Sequence, residues 1–413
     1  MRRLLLLSVL GLFFQPMFSQ TLELDRTFII NGGCFSDPDD FVTAGFFEDG
    51  IYTLFDEIQT ASVQDAVVSD DALFVTAQDS LVRYNLMTLT RDEAIALNGL
   101  NQLAIYDDYL LLTRQYPVTT ESFMVLDAVT LEVLATIELS GQAGGIAIND
   151  NQAYVAVPGA WGSTNGTLAI IDLQTLSLDH EIDLGSDAKG TKEVFIEGST
   201  LYTVNSHFSD YNNNIFSITE MNLATEEFTT TIISGDYYGY YGNSVMTEDA
   251  LIIPLSATLC RYDLTTGATD LNFMELNPAA IAYEPLAQNL HITTSNYVDW
   301  GNYDIYDVNG YHLEGPVAVG TSPEAMVFEY VIVDAVYEIE IPEVQIFVKN
   351  NQTVVVNGEA AGIQLYDLNG RLVFDYPYPV NGHWNHRFSE LHGIYIIRTY
   401  VANGVKNQKI MLR

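Results

Sequence analysis

The side chains best suited to recognition come in clusters, aromatic residues beside Asn, Gly and Asp. They are Arg114-Gln115-Tyr116-Pro117, Pro158-Gly159-Ala160-Trp161-Gly162, His207-Phe208-Ser209-Asp210-Tyr211, Asp236-Tyr237-Tyr238-Gly239-Tyr240-Tyr241 and Asn296-Tyr297-Val298-Asp299-Trp300. Two of the three Trp residues fall in them. Rigid, amphipathic rings with adaptable polar neighbours are the chemistry of ligand capture. The candidate ligand-binding residues are therefore Tyr116, Trp161, His207, Phe208, Tyr211, Tyr237, Tyr238, Tyr240, Tyr241, Tyr297 and Trp300. A second set carries oxygen. Glu193, Asn243 and Glu324, near Gln64 and Asp65, suit Ca²⁺, while Lys192 opposes it. Asp37-Pro38-Asp39-Asp40 offers more carboxylates but reads as an acidic surface turn. Signatures of catalysis are thin: no phosphate-cradling Gly loop, no HExxH, no zinc-spaced cysteines. His383-Trp384-Asn385-His386 reads as a solvated loop, and no catalytic residue is assigned.

These clusters sit at regular intervals in a repeat. Units of about 35–45 residues begin near Val63, Gln102, Gly145, Lys192, Asn243 and Ala280. Each opens with an apolar strand and a short polar turn such as Ser69-Asp70-Asp71, Tyr106-Asp107-Asp108 or Asn149-Asp150-Asn151. A second strand, a variable loop and a third strand ending near Asp or Asn follow, as in Leu168-Ala169-Ile170-Ile171-Asp172. A tight turn (Thr-Leu, Thr-Gly or Asn-Gly) and a fourth strand close the unit. Four-stranded sheets repeated around an axis are a propeller's answer to exposed edges.

The chain ends supply the missing blade. Thr27–Asn31, 41–47 and 50–57 are three strands lacking a first; Glu324–Tyr330 is a first strand lacking three. Together they predict a seven-bladed, all-β propeller closed by both chain ends in one blade. In such a ring the long aromatic loops share one face, where the ligand is expected. Asp70, Asp107 and Asp150 belong to the minimal turns of the opposite face, expected to be inert.

Composition divides the 413-residue chain. Residues 21–341 carry seven basic and 49 acidic residues, a net of −42; residues 342–413 carry +2. A body so acidic excludes nucleic acid and anionic membrane as partners, and favours cations or a cationic surface. Residues 1–20, with Arg2 and Arg3 before an apolar run, have the layout of a secretory signal peptide. Cys34 and Cys260 are expected to stay unpaired, because a whole blade separates them and a bridge needs Cα atoms within about 7 Å.

The blade pattern, best seen in Asn149–Val157 and Leu168–Leu173, resembles the YncE-like seven-bladed surface propellers. The opening Thr27-Phe28-Ile29-Ile30-Asn31-Gly32-Gly33 is similar to a Bacteroidetes branch that includes the cobalamin-capturing, BtuG-like propellers. That resemblance implies capture of cobalamin or another nutrient for a TonB-dependent outer-membrane transporter. The tail, with its hairpin around Asp367-Leu368-Asn369-Gly370, its Gly393-Ile394-Tyr395 strand and its basic last strand, resembles the type A C-terminal sorting domain of the type IX secretion system. It departs in having Ile341-Pro342-Glu343 where Pro-Asn-Pro usually stands. The resemblance implies a small Ig-like β-sandwich that engages that secretion machinery, and a secreted or outer-membrane-surface location. The expected organisation is a signal peptide (1–20), a propeller (21–335) and a sorting sandwich (342–413). Two alternatives to ligand capture stay open. One is a hydrolase of the type of those propeller lactonases that hold Ca²⁺ at the channel mouth; the other is a protein–protein scaffold.

Overall fold

The computed structural model describes residues 19–34, 36–69, 71–118, 120–158, 163–208, 214–234, 243–255, 257–335, 344–367, 371–401 and 404–413. Among them the chain divides into two compact units, one over 22–332 and one containing the C-terminal segment from 333.

The first unit is a β-propeller of seven four-stranded antiparallel sheets among the described residues. Six are continuous in sequence. Their first strands are Val63–Val68, Leu100–Tyr106, Ile146–Asn149, Thr191–Glu197, Val245–Met246 and Ala280–Glu284, and each sheet runs in the order first, second, third, fourth. We number them blades 1 to 6. In blade 7 the strand Pro323–Ala335 lies beside Ser19–Asn31, followed by Val42–Glu48 and Ile51–Ile58. The late strand takes the innermost place and the early chain supplies the other three, as the strand count predicts.

Burial explains the pattern within a blade. The second strand of blade 1, Ala72–Ala77, is buried throughout, and its fourth, Thr90–Ala96, is almost wholly exposed. Middle strands are covered on both faces by neighbouring blades, so they read as apolar runs. Outer strands face water and read as polar. Every blade packs on the next through its own apolar cluster, from Ala72, Phe74 and Leu110 between blades 1 and 2 to Ile29, Phe47 and Val319 between blades 6 and 7. At this last seam the rings of Phe47 and Tyr303 are 4.9 Å apart. Burying each such large side chain contributes about 1.5–3 kcal/mol, so the seam is held like the others.

The Asp or Asn ending the third strand of blades 1 to 6 builds the turn that follows. Asp127 Oδ1 accepts the N–H groups of Val129 and Thr130 and the Thr130 hydroxyl; Asp263 Oδ1 does the same with Thr265 and Thr266. These donors hold both carboxyls below the usual carboxylate range. The residue after the threonine then turns left-handed, with φ of 56° at Leu131, 51° at Leu176 and 68° at Gly267. In blade 2 that leucine is buried, which accounts for a Leu where Gly would be easier.

The C-terminal unit is a two-sheet sandwich. One sheet has Gln345–Lys349, Thr353–Ala360 and Val380–Arg387; the other runs Leu372–Tyr376, Gly362–Asp367, Gly393–Val401, Gly404–Leu412. Val354, Val356, Ile363, Leu365, Ile397 and Leu412 form its core. The His383 segment, expected as a loop, is a strand. Its period of two separates the histidines: His383 bonds Asn357 Oδ1 at 2.7 Å, while His386 stacks on Trp384 and Phe374. They do not converge on a metal.

Both cysteines are free, Cys34 half-buried and Cys260 buried. In the acidic turn, Asp40 accepts the Cys34 N–H at 2.8 Å and Asp37 that of Asp39 at 3.1 Å, so two of its carboxylates close the loop. No helix among the described residues is long and apolar enough to cross a membrane.

Candidate functional site

The long-loop face is best defined in blade 6. Asn296 Oδ1 accepts the N–H groups of Val298 and Asp299 at 3.0 and 2.8 Å, and its amide donates to Asp299 Oδ2 at 2.9 Å. Ser295 Oγ accepts the Tyr297 N–H, and Tyr297 takes a left-handed φ of 62°. This self-bonded turn holds Tyr297, Val298 and Trp300 outward, with 41%, 60% and 60% of their surfaces exposed. Gly301 lets the strand lie close to blade 7, for a Cβ there would stand 2.6 Å from the Pro323 ring. Trp300, expected within the loop, opens the strand Trp300–Asp307 and pairs with Thr321.

Glu324 follows Pro323 and lies at the same mouth of the channel. Burial pushes its carboxyl up to about 7, and its charge in turn raises the Tyr297 hydroxyl, which burial has already raised. Gly32 makes room for it: a Cβ there would meet Glu324 Oε2 at 2.5 Å. Asp65, near the start of blade 1, is a second such carboxyl at about 7. Burial raises it, Glu193 raises it further, and the N–H groups of Leu103 and Ala66 act against both.

Gln102 reaches from blade 2 to Asn243, just before blade 5, with Nε2 donating to Oδ1 at 3.1 Å. Those blades are not neighbours, so the bond bridges the channel. Next to it Glu193 Oε1 accepts the Ser244 N–H at 2.8 Å, and burial lowers the Lys192 ammonium against the pull of Glu193. One carboxylate oxygen of Glu193 and the side-chain oxygen of Asn243, two of the residues named for Ca²⁺, are thus engaged with protein donors. Among the described residues no three His, Cys, Asp or Glu side chains converge to hold a metal.

The remaining predicted residues divide. Tyr116 projects from its turn, 82% exposed. His207 and Phe208 do not lie in a loop but end the strand Thr200–Phe208, which pairs on to Asn214 and lengthens the hairpin. His207 is half-buried, and burial with Lys189 and Lys192 lowers its imidazole. Trp161, Tyr211, Tyr237, Tyr238, Tyr240 and Tyr241 lie outside the described residues.

The opposite face is not featureless. A cavity of about 930 Å³ opens there, walled in part by Asp107 and Asp108 and by the far end of the blade 7 inner strand, Phe328 to Ile332. Asp107 was expected to be an inert turn residue. The cavity forms because turns from blades 1 and 2 and the end of that inner strand leave a hollow that no single turn reveals.

No family model and no curated protein sequence matches the chain. Solved structures do. A Bacteroides fragilis protein for which 6-phosphogluconolactonase activity has been suggested superposes with a TM-score of 0.55 at 11% identity, over 74% of this chain and 98% of its own. A Lactobacillus plantarum protein gives 0.54 at 13% identity, over 74% and 100%. The extracellular domain of a suggested one-component system from B. thetaiotaomicron gives 0.51 at 12% identity, over 94% of this chain; the match spans 57% of that longer domain. The shared property is the fold. At these identities the likenesses carry the propeller architecture and nothing of ligand or reaction.

Proposed function

We propose that the chain is an exported binding propeller that captures a small nutrient over its long-loop face. The observation that carries this reading is the blade 6 turn. Its own side chains spend their hydrogen bonds on rigidity, and it leaves Tyr297, Val298 and Trp300 facing solvent beside the Glu324 carboxyl. Exposed aromatic surface held in place before binding avoids the entropic cost of ordering it later. A long apolar body can lie on the rings while the Glu324 carboxyl meets amides or other donors.

A corrinoid, with its fringe of amides, fits this chemistry, and the resemblance of the Thr27–Gly33 opening makes cobalamin the first ligand to test. In that reading a TonB-dependent transporter is the partner that receives it. The leader directs the chain to the periplasm, and the tail directs it through the type IX machinery to the cell surface. Calorimetric titration of the full chain with cobalamin tests the ligand: saturable one-to-one binding supports it, and no heat above dilution removes cobalamin. A second reading, a hydrolase, is favoured by the two carboxyls held near 7, where a general base works best. Lactone turnover lost in Glu324→Gln would support it.

A further inference from the structure

We propose that the short-turn mouth of the propeller is a second binding site, for a small organic cation with an apolar body. It is separate from the long-loop face, so it stands or falls independently of the function proposed above. The cavity there, about 930 Å³, is of the size that encloses small molecules. Val129 and Ile332 on its wall are 60% and 66% exposed, so they offer apolar surface to a ligand. Phe328 and Tyr330 add aromatic surface. Their rings lie 6.4 Å apart, and the Tyr330 hydroxyl is tied to Glu284 at 3.0 Å, which fixes its ring.

The charge on the wall is unbalanced. Two arginines lie near it, and both are committed. Arg26 pairs with Glu329 and donates to the Leu86 carbonyl; Arg83 pairs with Asp71 and Asp92 and donates to the Ala128 carbonyl. Only 14% and 5% of their side chains are exposed. Asp107 and Asp108 share the wall with no cation of the described residues upon them. An anion is repelled by this arrangement, and a neutral apolar molecule leaves the carboxylates unused. A cation placed against the rings gains from both the carboxylates and the ring faces.

Dansylcadaverine, an amine on an apolar fluorescent body, is a suitable probe. Dansylamide and dansylglycine supply the same body, neutral and anionic. With the full mature chain, the amine should bind saturably with a blue shift, and at least about fivefold more tightly than dansylamide. Asp107→Asn/Asp108→Asn should weaken it by about tenfold. Asn tolerates the left-handed turn at Asp107, where φ is 49°. The double variant leaves nearly all of the chain's net negative charge in place, so the loss would be local and not a general attraction to a polyanion. Tyr330→Leu, on a different blade from that turn, should weaken the amine about threefold and hardly affect dansylamide. Equal binding of amine and dansylamide, or an affinity for the amine that survives both variants, overturns the proposal.

Discussion

Gln102 and Asn243, 141 residues apart, hydrogen-bond across the channel at its long-loop mouth. Blade 2 and blade 5 share no sheet and no apolar cluster; this bond joins them. Gln102→Ala should therefore cost about 1–2 kcal/mol, because the Asn243 carbonyl loses its donor in a poorly solvated place. Urea unfolding checks this. A midpoint and slope equal to wild type would show that water replaces the bond at no cost.

The same mouth sets a pH dependence. The Glu324 carboxyl is raised to about 7 in the fold, mainly by burial. A raised carboxyl binds protons more tightly folded than unfolded, so its effect is absent below pH about 4 and stability falls as pH rises towards 7. Asp65 acts in the same direction. Glu324→Gln should stabilise the propeller above pH 7, on the order of 2 kcal/mol, and change little at pH 4. Denaturant midpoints measured from pH 4 to 8 decide it; parallel curves for variant and wild type would sink the assignment.

The two thiols should differ in reactivity. Burial, with Asp270 adding to it, pushes the Cys260 thiol up to about 12, while Cys34 is half-buried on a loop and free. Native alkylation with iodoacetamide should label Cys34 alone, and denaturation should release the second site. Peptide mapping without reductant should find no crosslink between them.

The compact C-terminal unit has its own core, built on Val354, Val356 and Ile397. Deleting 342–413 should leave a folded propeller, retained in the periplasm of a host that has the type IX machinery. Fractionation of such cells is the measurement. Normal release of the truncated chain to the surface or medium would remove the sorting role.

Much of this architecture was legible because it repeats. Asp127, Asp172 and Asp263, each followed within three residues by Thr, mark the same turn in three blades, since one carboxylate must accept two backbone donors there. The orphan strand at Glu324 completed the count for a similar reason: a ring has no loose edge. What repetition does not mark was harder to see. Nothing in the sequence pairs Gln102 with Asn243 until the ring brings them together. Asp107 and Asp108 look like a minimal turn until the far end of the blade 7 inner strand arrives beside them. His207 and Phe208 looked like loop because the hairpin they belong to runs past the length of the other blades.

Capture at the long-loop face depends on Trp300. It is 60% exposed at the start of a strand, directly after a turn held by its own hydrogen bonds. A ring of that kind, once covered by ligand, commonly costs about 2 kcal/mol when truncated, roughly thirtyfold in affinity. The decisive measurement is the calorimetric dissociation constant of cobalamin for wild type, Trp300→Ala and Asp150→Asn, the last on the opposite face and away from the cavity there. Capture at the long-loop face predicts one-to-one binding by wild type, about thirtyfold weaker binding by Trp300→Ala, and no change in Asp150→Asn. Wild-type affinity in Trp300→Ala, with binding lost in Asp150→Asn, would place the working face on the other side of the ring.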